Sequence, residues 1–121
     1  MKKISDHRLS LGISTHSHFD LALALSIKPS YIALGPIYKS NTKSNLTSLK
    51  NGISKIYEWK YHLKNNIPLI AIGGINEKNL SDVYSAGANG AAVIEYVKET
   101  SNLKNTIKTA HQIYESCNKA I

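Results

Sequence analysis

The sequence predicts an α/β domain in which four short parallel strands alternate with four helices. Three observations lead there: brief apolar runs that recur along the chain, helical apolar spacing between them, and small or hydroxylic residues where each run ends. The strand candidates are Leu9–Ser14, Tyr31–Gly35, Leu69–Ile72 and Ala91–Ile94. Each is too short for a helix and too continuously apolar for a strand with one wet face, which is the signature of parallel strands covered on both sides.

The helices follow in turn. Phe19, Leu21, Ala22 and Leu25 pattern the first, with Ser17 placed to cap it and Pro29 to end it. Ile53, Ile56, Tyr57 and Lys60 pattern the second, where the Lys60 stem can lie along the apolar side. Trp59, Tyr57 and Tyr61 share that helix and are expected to cover the sheet rather than to stack on bases. Leu80, Val83 and Tyr84 define the third, with Asn76 as its cap and Gly87 as a left-handed stop. Leu103, Ile107, Ala110, Tyr114, Cys117 and Ile121 form one stripe along the fourth. The long irregular segment runs from about Pro36 to Leu49, and its Lys, Ser and Thr content suits an anion-binding loop.

Composition narrows the function classes. With 121 residues the chain is read as a single domain, residues 1–121. A net charge of +7 favours acidic ligands. Arg8 is the only arginine among 15 basic residues, so the bidentate contacts of dedicated nucleic-acid readout are not expected. No apolar stretch is long enough to span a membrane, and no signal-peptide core follows Met1. The single cysteine, Cys117, suits a reducing cytoplasm and reads as a buried thiol. His16 and His18 lack a third ligand nearby, and Asp6, Asp20 and Asp82 form no paired-carboxylate motif, so no metal site is expected from these residues.

Two constellations can bind phosphate. Gly73-Gly74 follows a strand and precedes a helix, where bare backbone N–H groups can approach an anion. Ser40 and Thr42 with Lys43 offer hydroxyls and an ammonium, and Ser14 ends the first strand on the same side.

The order Leu11-Gly12-Ile13-Ser14-Thr15-His16, then Ile32-Ala33-Leu34-Gly35-Pro36-Ile37-Tyr38, Ser40-Asn41-Thr42-Lys43 and Ala71-Ile72-Gly73-Gly74-Ile75 resembles thiamine phosphate synthases from about Leu9 onward. The resemblance implies the C-terminal half of a (β/α)8 TIM barrel, a fold that takes about 250 residues when whole. It implies a transferase of thiamine biosynthesis, which condenses hydroxymethylpyrimidine diphosphate with thiazole phosphate and releases pyrophosphate. By position, Ser14 matches the serine on the diphosphate and Lys43 the lysine that assists its departure. Ser40, Asn41 and Thr42 match the triplet on the thiazole phosphate, and Gly74 the glycine beside it.

The chain departs from the pattern where the last strand ends, reading Ile94-Glu95 in place of an aliphatic residue followed by Ser. A carboxylate at about 4 Å from a phosphate costs about 1 to 4 kcal/mol, depending on solvation. Magnesium is implied as cofactor, yet the Gln-x-Arg-x-Lys clamp and the metal aspartates belong to the half that the chain does not resemble. The expected partners are therefore phosphorylated small molecules, together with either a complementary half-barrel chain or a second copy. A non-catalytic remnant is the alternative. The related thiazole tautomerases are a further one, although they tend to carry His where Pro36 stands.

Overall fold

The computed structural model describes residues 10–38, 46–93, 97 and 101–119, with side chains described from residue 52 in the second helix and up to residue 117 in the last. The elements are β1 (Gly12–Thr15), α1 (His18–Ile27), β2 (Tyr31–Leu34), α2 (Leu46–Leu63), β3 (Leu69–Ile72), α3 (Leu80–Ser85), β4 (Gly90–Ala92) and α4 (Leu103–Lys119). The four strands form one parallel sheet in the order β1-β2-β3-β4, so each βα unit lays its strand beside the one before.

The strand runs locate the sheet, and pairing sets its bounds. β3 coincides with its sequence expectation. β1 starts and ends later than expected, because its register with β2 pairs Gly12 with Tyr31 and Thr15 with Leu34. The hydroxyl of Thr15 donates to the Ala33 carbonyl at 2.8 Å and draws that residue into the strand. β4 begins earlier, at Gly90, where a Cβ would stand 2.9 Å from Ile70 Cδ1. Ile94, expected to end that strand, lies outside the described residues.

Ser17 caps α1 as expected, its hydroxyl accepting the Asp20 N–H at 3.2 Å. The segment expected to stay irregular as far as Leu49 is helical from Leu46. Thr47, Ser48, Asn51 and Gly52 are weak helix formers and hide this from the sequence. Gly52 is buried there, because a Cβ would fall 2.0 Å from the Ile37 carbonyl oxygen: the helix crosses directly over that backbone. The N-cap of α3 is Asn79 rather than the expected Asn76, and it makes no side-chain cap bond; Asn76 instead orders the turn before the helix, its side chain accepting from the N–H of Lys78 at 2.8 Å and of Asn79 at 3.3 Å. Gly87 ends α3 with φ +116°.

The core lies between the sheet and its helices. Ile32, Leu34, Leu69 and Ala71 project from one sheet face against Leu21, Ala24, Ile56, Trp59, Leu63, Leu80 and Val83. The period of two sends Gly12, Ser14, Tyr31, Ala33, Ile70 and Ile72 to the opposite face. That face is open among the described residues, with Tyr31 40% and Ile72 38% exposed. Among the described residues, therefore, the strands are covered on one side. Trp59 covers the sheet, whereas Tyr57 and Tyr61 are exposed, because their positions on α2 turn them outward. Lys60 runs its stem past Gly87 and donates to Asn89 Oδ1 at 2.9 Å, with burial holding its ammonium below the ordinary lysine value. Cys117 is half-buried rather than buried, with its sulfur 3.9 Å from Ser81 Oγ and 3.8 Å from Ser85 Oγ.

Candidate functional site

Parallel strands deliver all four C-terminal ends to one rim, and the connections after β1, β2 and β3 meet there. Ser14 sits one residue before the end of β1, exposed on the open face. Thr15 beside it points the other way, into the core, where its hydroxyl also accepts the Trp59 indole N–H at 2.8 Å. This pair of bonds fixes the end of β1 and hence the direction in which Ser14 projects.

The segment after β2 is bound edge-on to the end of β3. Ile37 N–H donates to the Ile72 carbonyl at 2.9 Å and Tyr38 N–H to the Gly73 carbonyl at 3.0 Å, and the Gly35-Pro36 peptide bond is cis. The glycine pair makes room for this contact. Gly73 has φ +107° and Gly74 φ +67°, and a Cβ on Gly74 would approach Tyr38 Cβ to 2.8 Å. The Gly74 carbonyl accepts from Asn79 Nδ2 at 3.0 Å, whereas its N–H bonds to no other described residue. A backbone donor at the strand-end rim with no partner among the described residues is what an anion needs.

Two rim residues were not assigned to the site by the sequence reading. His16 sets its Nδ1 against the Gly35 carbonyl, joining the β1 and β2 connections. Lys55, from α2, donates to the His16 carbonyl at 3.0 Å and brings an ammonium to the β1 end. His16 was visible as the residue following a strand. Nothing in the pattern of α2 marked Lys55, whose place depends on how the helix docks.

Ser14 and Gly74 thus stand at the ends of β1 and β3, while Ser40, Asn41, Thr42, Lys43, Ile94 and Glu95 lie outside the described residues. Among the described residues no group of three or more His, Cys, Asp or Glu side chains comes together. Asp20, the carboxylate nearest the β1 end in sequence, is held below its ordinary value chiefly by the His16 N–H, which donates to it at 3.0 Å. It serves as a cap. Asp82 instead lines a groove of about 620 Å³ between α2 and α3, with Tyr38, Ile53, Tyr57 and Asn79. Among the described residues no helix is long and apolar enough to cross a membrane.

Residues 1–97 match the family described as thiamine monophosphate synthase. The chain belongs to that family. It is 34% identical over 114 residues to the thiamine-phosphate synthase of Lysinibacillus sphaericus, covering 90% of this chain and 48% of that one. The thiamine-phosphate synthase of Neisseria meningitidis serogroup B is 36% identical over 107 residues, covering 88% and 51%. The solved thiamine phosphate pyrophosphorylase of Pyrococcus furiosus superposes with a TM-score of 0.78 at 25% identity, covering 96% of this chain and 53% of that one. A 3-hexulose-6-phosphate synthase shares the fold alone, at 11% identity and a TM-score of 0.69. The chain spans about half the length of the relatives it matches, and its four βα units correspond to half of their TIM-barrel-like fold.

Proposed function

We propose that this chain provides the thiazole-phosphate side of a thiamine phosphate synthase and depends on further βα units for the rest of the site. The observation that carries this reading is the family match over residues 1–97, together with the Gly74 N–H at the strand-end rim, which has no partner among the described residues. In the reaction, the thiazole ring nitrogen forms a bond to the pyrimidine methylene carbon. The bond from that carbon to the diphosphate oxygen breaks, and the electron pair leaves with pyrophosphate. The protein's part is to position the two rings and to stabilise charge on the leaving group.

In this reading Ser14 donates to the diphosphate, and Lys43 neutralises charge as it departs. Ser40, Asn41, Thr42 and Gly74 hold the thiazole phosphate, and Ile94 and Glu95 border it. Glu95 opposes that phosphate, so Glu95→Ser strengthens binding. Magnesium, which the resemblance implies, would help to neutralise the departing diphosphate, and no cluster of three or more possible metal ligands forms among the described residues. Phosphorylated small molecules are the ligands of this site, and the half-buried single Cys117 fits the cytoplasmic location that the reading carries.

The test is turnover and binding together. The purified chain alone forms no thiamine phosphate above background at any magnesium concentration. Mixed with the complementary half of a synthase, it regains turnover that Lys43→Ala removes. Product formation by the chain alone overturns the division of labour, and rescue that survives Lys43→Ala removes the role given to that lysine. Titration with thiazole phosphate, unchanged by Gly74→Val and by Glu95→Ser, would show that the rim is no phosphate site.

A further inference from the structure

The Gly74 N–H belongs to the same peptide unit as the Gly73 carbonyl, and that unit is trans. A planar peptide cannot turn one of these groups without turning the other. The Gly73 carbonyl accepts the Tyr38 N–H at 3.0 Å, so the place of Tyr38 sets the direction in which the Gly74 N–H points.

Tyr38 ends the β2 connection, residues 35–38, which is pinned from two sides. On the β3 side, the Ile37 N–H donates to the Ile72 carbonyl at 2.9 Å, and Gly35 lies so close that a Cβ there would overlap the Ile72 carbonyl oxygen. On the β1 side, the Gly35 N–H reaches the Thr15 carbonyl at 3.3 Å, and the Gly35 carbonyl accepts from the His16 ring. Among the described residues this ring makes the only side-chain bond from the end of β1 to the connection.

His16 is itself held on both flanks of its backbone. Its N–H donates to Asp20 Oδ2 on α1 at 3.0 Å, and its carbonyl accepts from the Lys55 ammonium on α2, also at 3.0 Å. A carbonyl can only accept, so the ring carries its proton on Nδ1, and Nε2 is left without a partner among the described residues. With its backbone anchored to two helices and its ring to Gly35, His16 is a strut between elements.

We propose that His16 is a positioning residue of the strand-end rim: through its Nδ1–H it holds the β2 connection where Tyr38 aims the Gly74 N–H. Its effect on ligands rests on the reading of Gly74 as a phosphate donor. His16 follows Ser14 by two residues, yet it acts on the other phosphate. The end of β1 that carries Ser14 is fixed by the buried bonds of Thr15 and does not depend on the ring.

The test compares His16→Ala, His16→Asn and His16→Gln in the full chain. An asparagine amide sits where Nδ1–H sits and can donate to Gly35, whereas a glutamine amide reaches to the place of Nε2 and cannot. Without ligand, nitrogen NMR at about pH 8, above the ordinary imidazole value, should find the proton on Nδ1. Exchange of the Tyr38 amide should quicken about tenfold in His16→Ala and His16→Gln and return toward wild type in His16→Asn. Thiazole phosphate should bind about tenfold more weakly to the first two variants and recover with the third, while pyrophosphate binds all of them as it binds wild type.

A ring protonated on Nε2 alone, or Tyr38 exchange unmoved by His16→Ala, overturns the strut. Faster Tyr38 exchange with unchanged thiazole phosphate affinity overturns its action on Gly74. Equal weakening of both ligands without rescue by asparagine overturns the proposal in favour of a general loss of structure. A wild-type chain that binds no thiazole phosphate overturns the phosphate reading, and the Tyr38 amide with its asparagine rescue then decides the positioning role by itself.

Discussion

The indole N–H of Trp59 donates to the Thr15 hydroxyl across 2.8 Å in the core, joining the middle of α2 to the end of β1, 44 residues away. The Thr15 O–H donates in turn to the Ala33 carbonyl, also at 2.8 Å, so three elements meet at one buried hydroxyl. Both side chains are fully buried, and neither polar atom has water to fall back on.

Thr15→Val keeps the shape and removes the hydroxyl. A buried indole N–H and a strand carbonyl then lose their partner, which costs about 1 to 3 kcal/mol. Urea unfolding followed by the fluorescence of Trp59, the sole tryptophan, should show a lower midpoint with an unchanged slope. An unaltered midpoint would mean that the network adds nothing to stability.

Gly74→Ala places a Cβ where φ is +67° and the Tyr38 Cβ is 2.8 Å away. The left-handed backbone alone costs about 1 to 2 kcal/mol for an L-residue, and the contact with Tyr38 adds to it. Melting temperature should fall, and affinity for thiazole phosphate should fall with it. Retained affinity in the folded variant would separate the glycine's structural role from phosphate binding.

Burial first and the Asp82 carboxylate second hold the Tyr38 phenol above its ordinary value of 10.0. The folded state therefore favours the protonated phenol. Its contribution to stability is complete below about pH 10 and is lost as pH rises through the higher folded value. Tyr84 shifts the same way, mainly through burial. Lys60 acts in the opposite sense, since its lowered value makes the folded state costlier while the ammonium is charged and relieves it toward 10.5. The difference between wild type and Tyr38→Phe isolates the phenol: stability measured from pH 8 to 11 should decline less steeply in the variant.

Ser17→Ala removes the cap of α1, where the hydroxyl accepts from the Asp20 N–H. The expected loss is about 1 kcal/mol, read from denaturant midpoints at neutral pH. Asp20, lowered by the His16 N–H, adds an acid-side dependence: its contribution is present above its ordinary value of 3.8 and disappears as pH falls through the folded value. Asp20→Asn should flatten the stability profile below pH 4.

Local pattern determined the order of four strands and four helices, the Ser17 cap, the Gly87 stop and the family itself, because each is written in neighbouring residues and backbone preference acts over a few positions. Ser14 and Gly74 were legible for the same reason, as a hydroxyl and a glycine placed where strands end. The tertiary structure alone decided the rest. The register of β1 against β2 turned Thr15 inward and Ser14 outward, a choice that a one-residue slip reverses. The docking of α2 brought Lys55 to His16 and Trp59 to Thr15, contacts 39 and 44 residues apart that no local spacing encodes. The apolar runs read as strands covered twice, yet among the described residues the helices cover one face and leave Tyr31 and Ile72 exposed on the other, a difference that their own hydrophobicity does not encode.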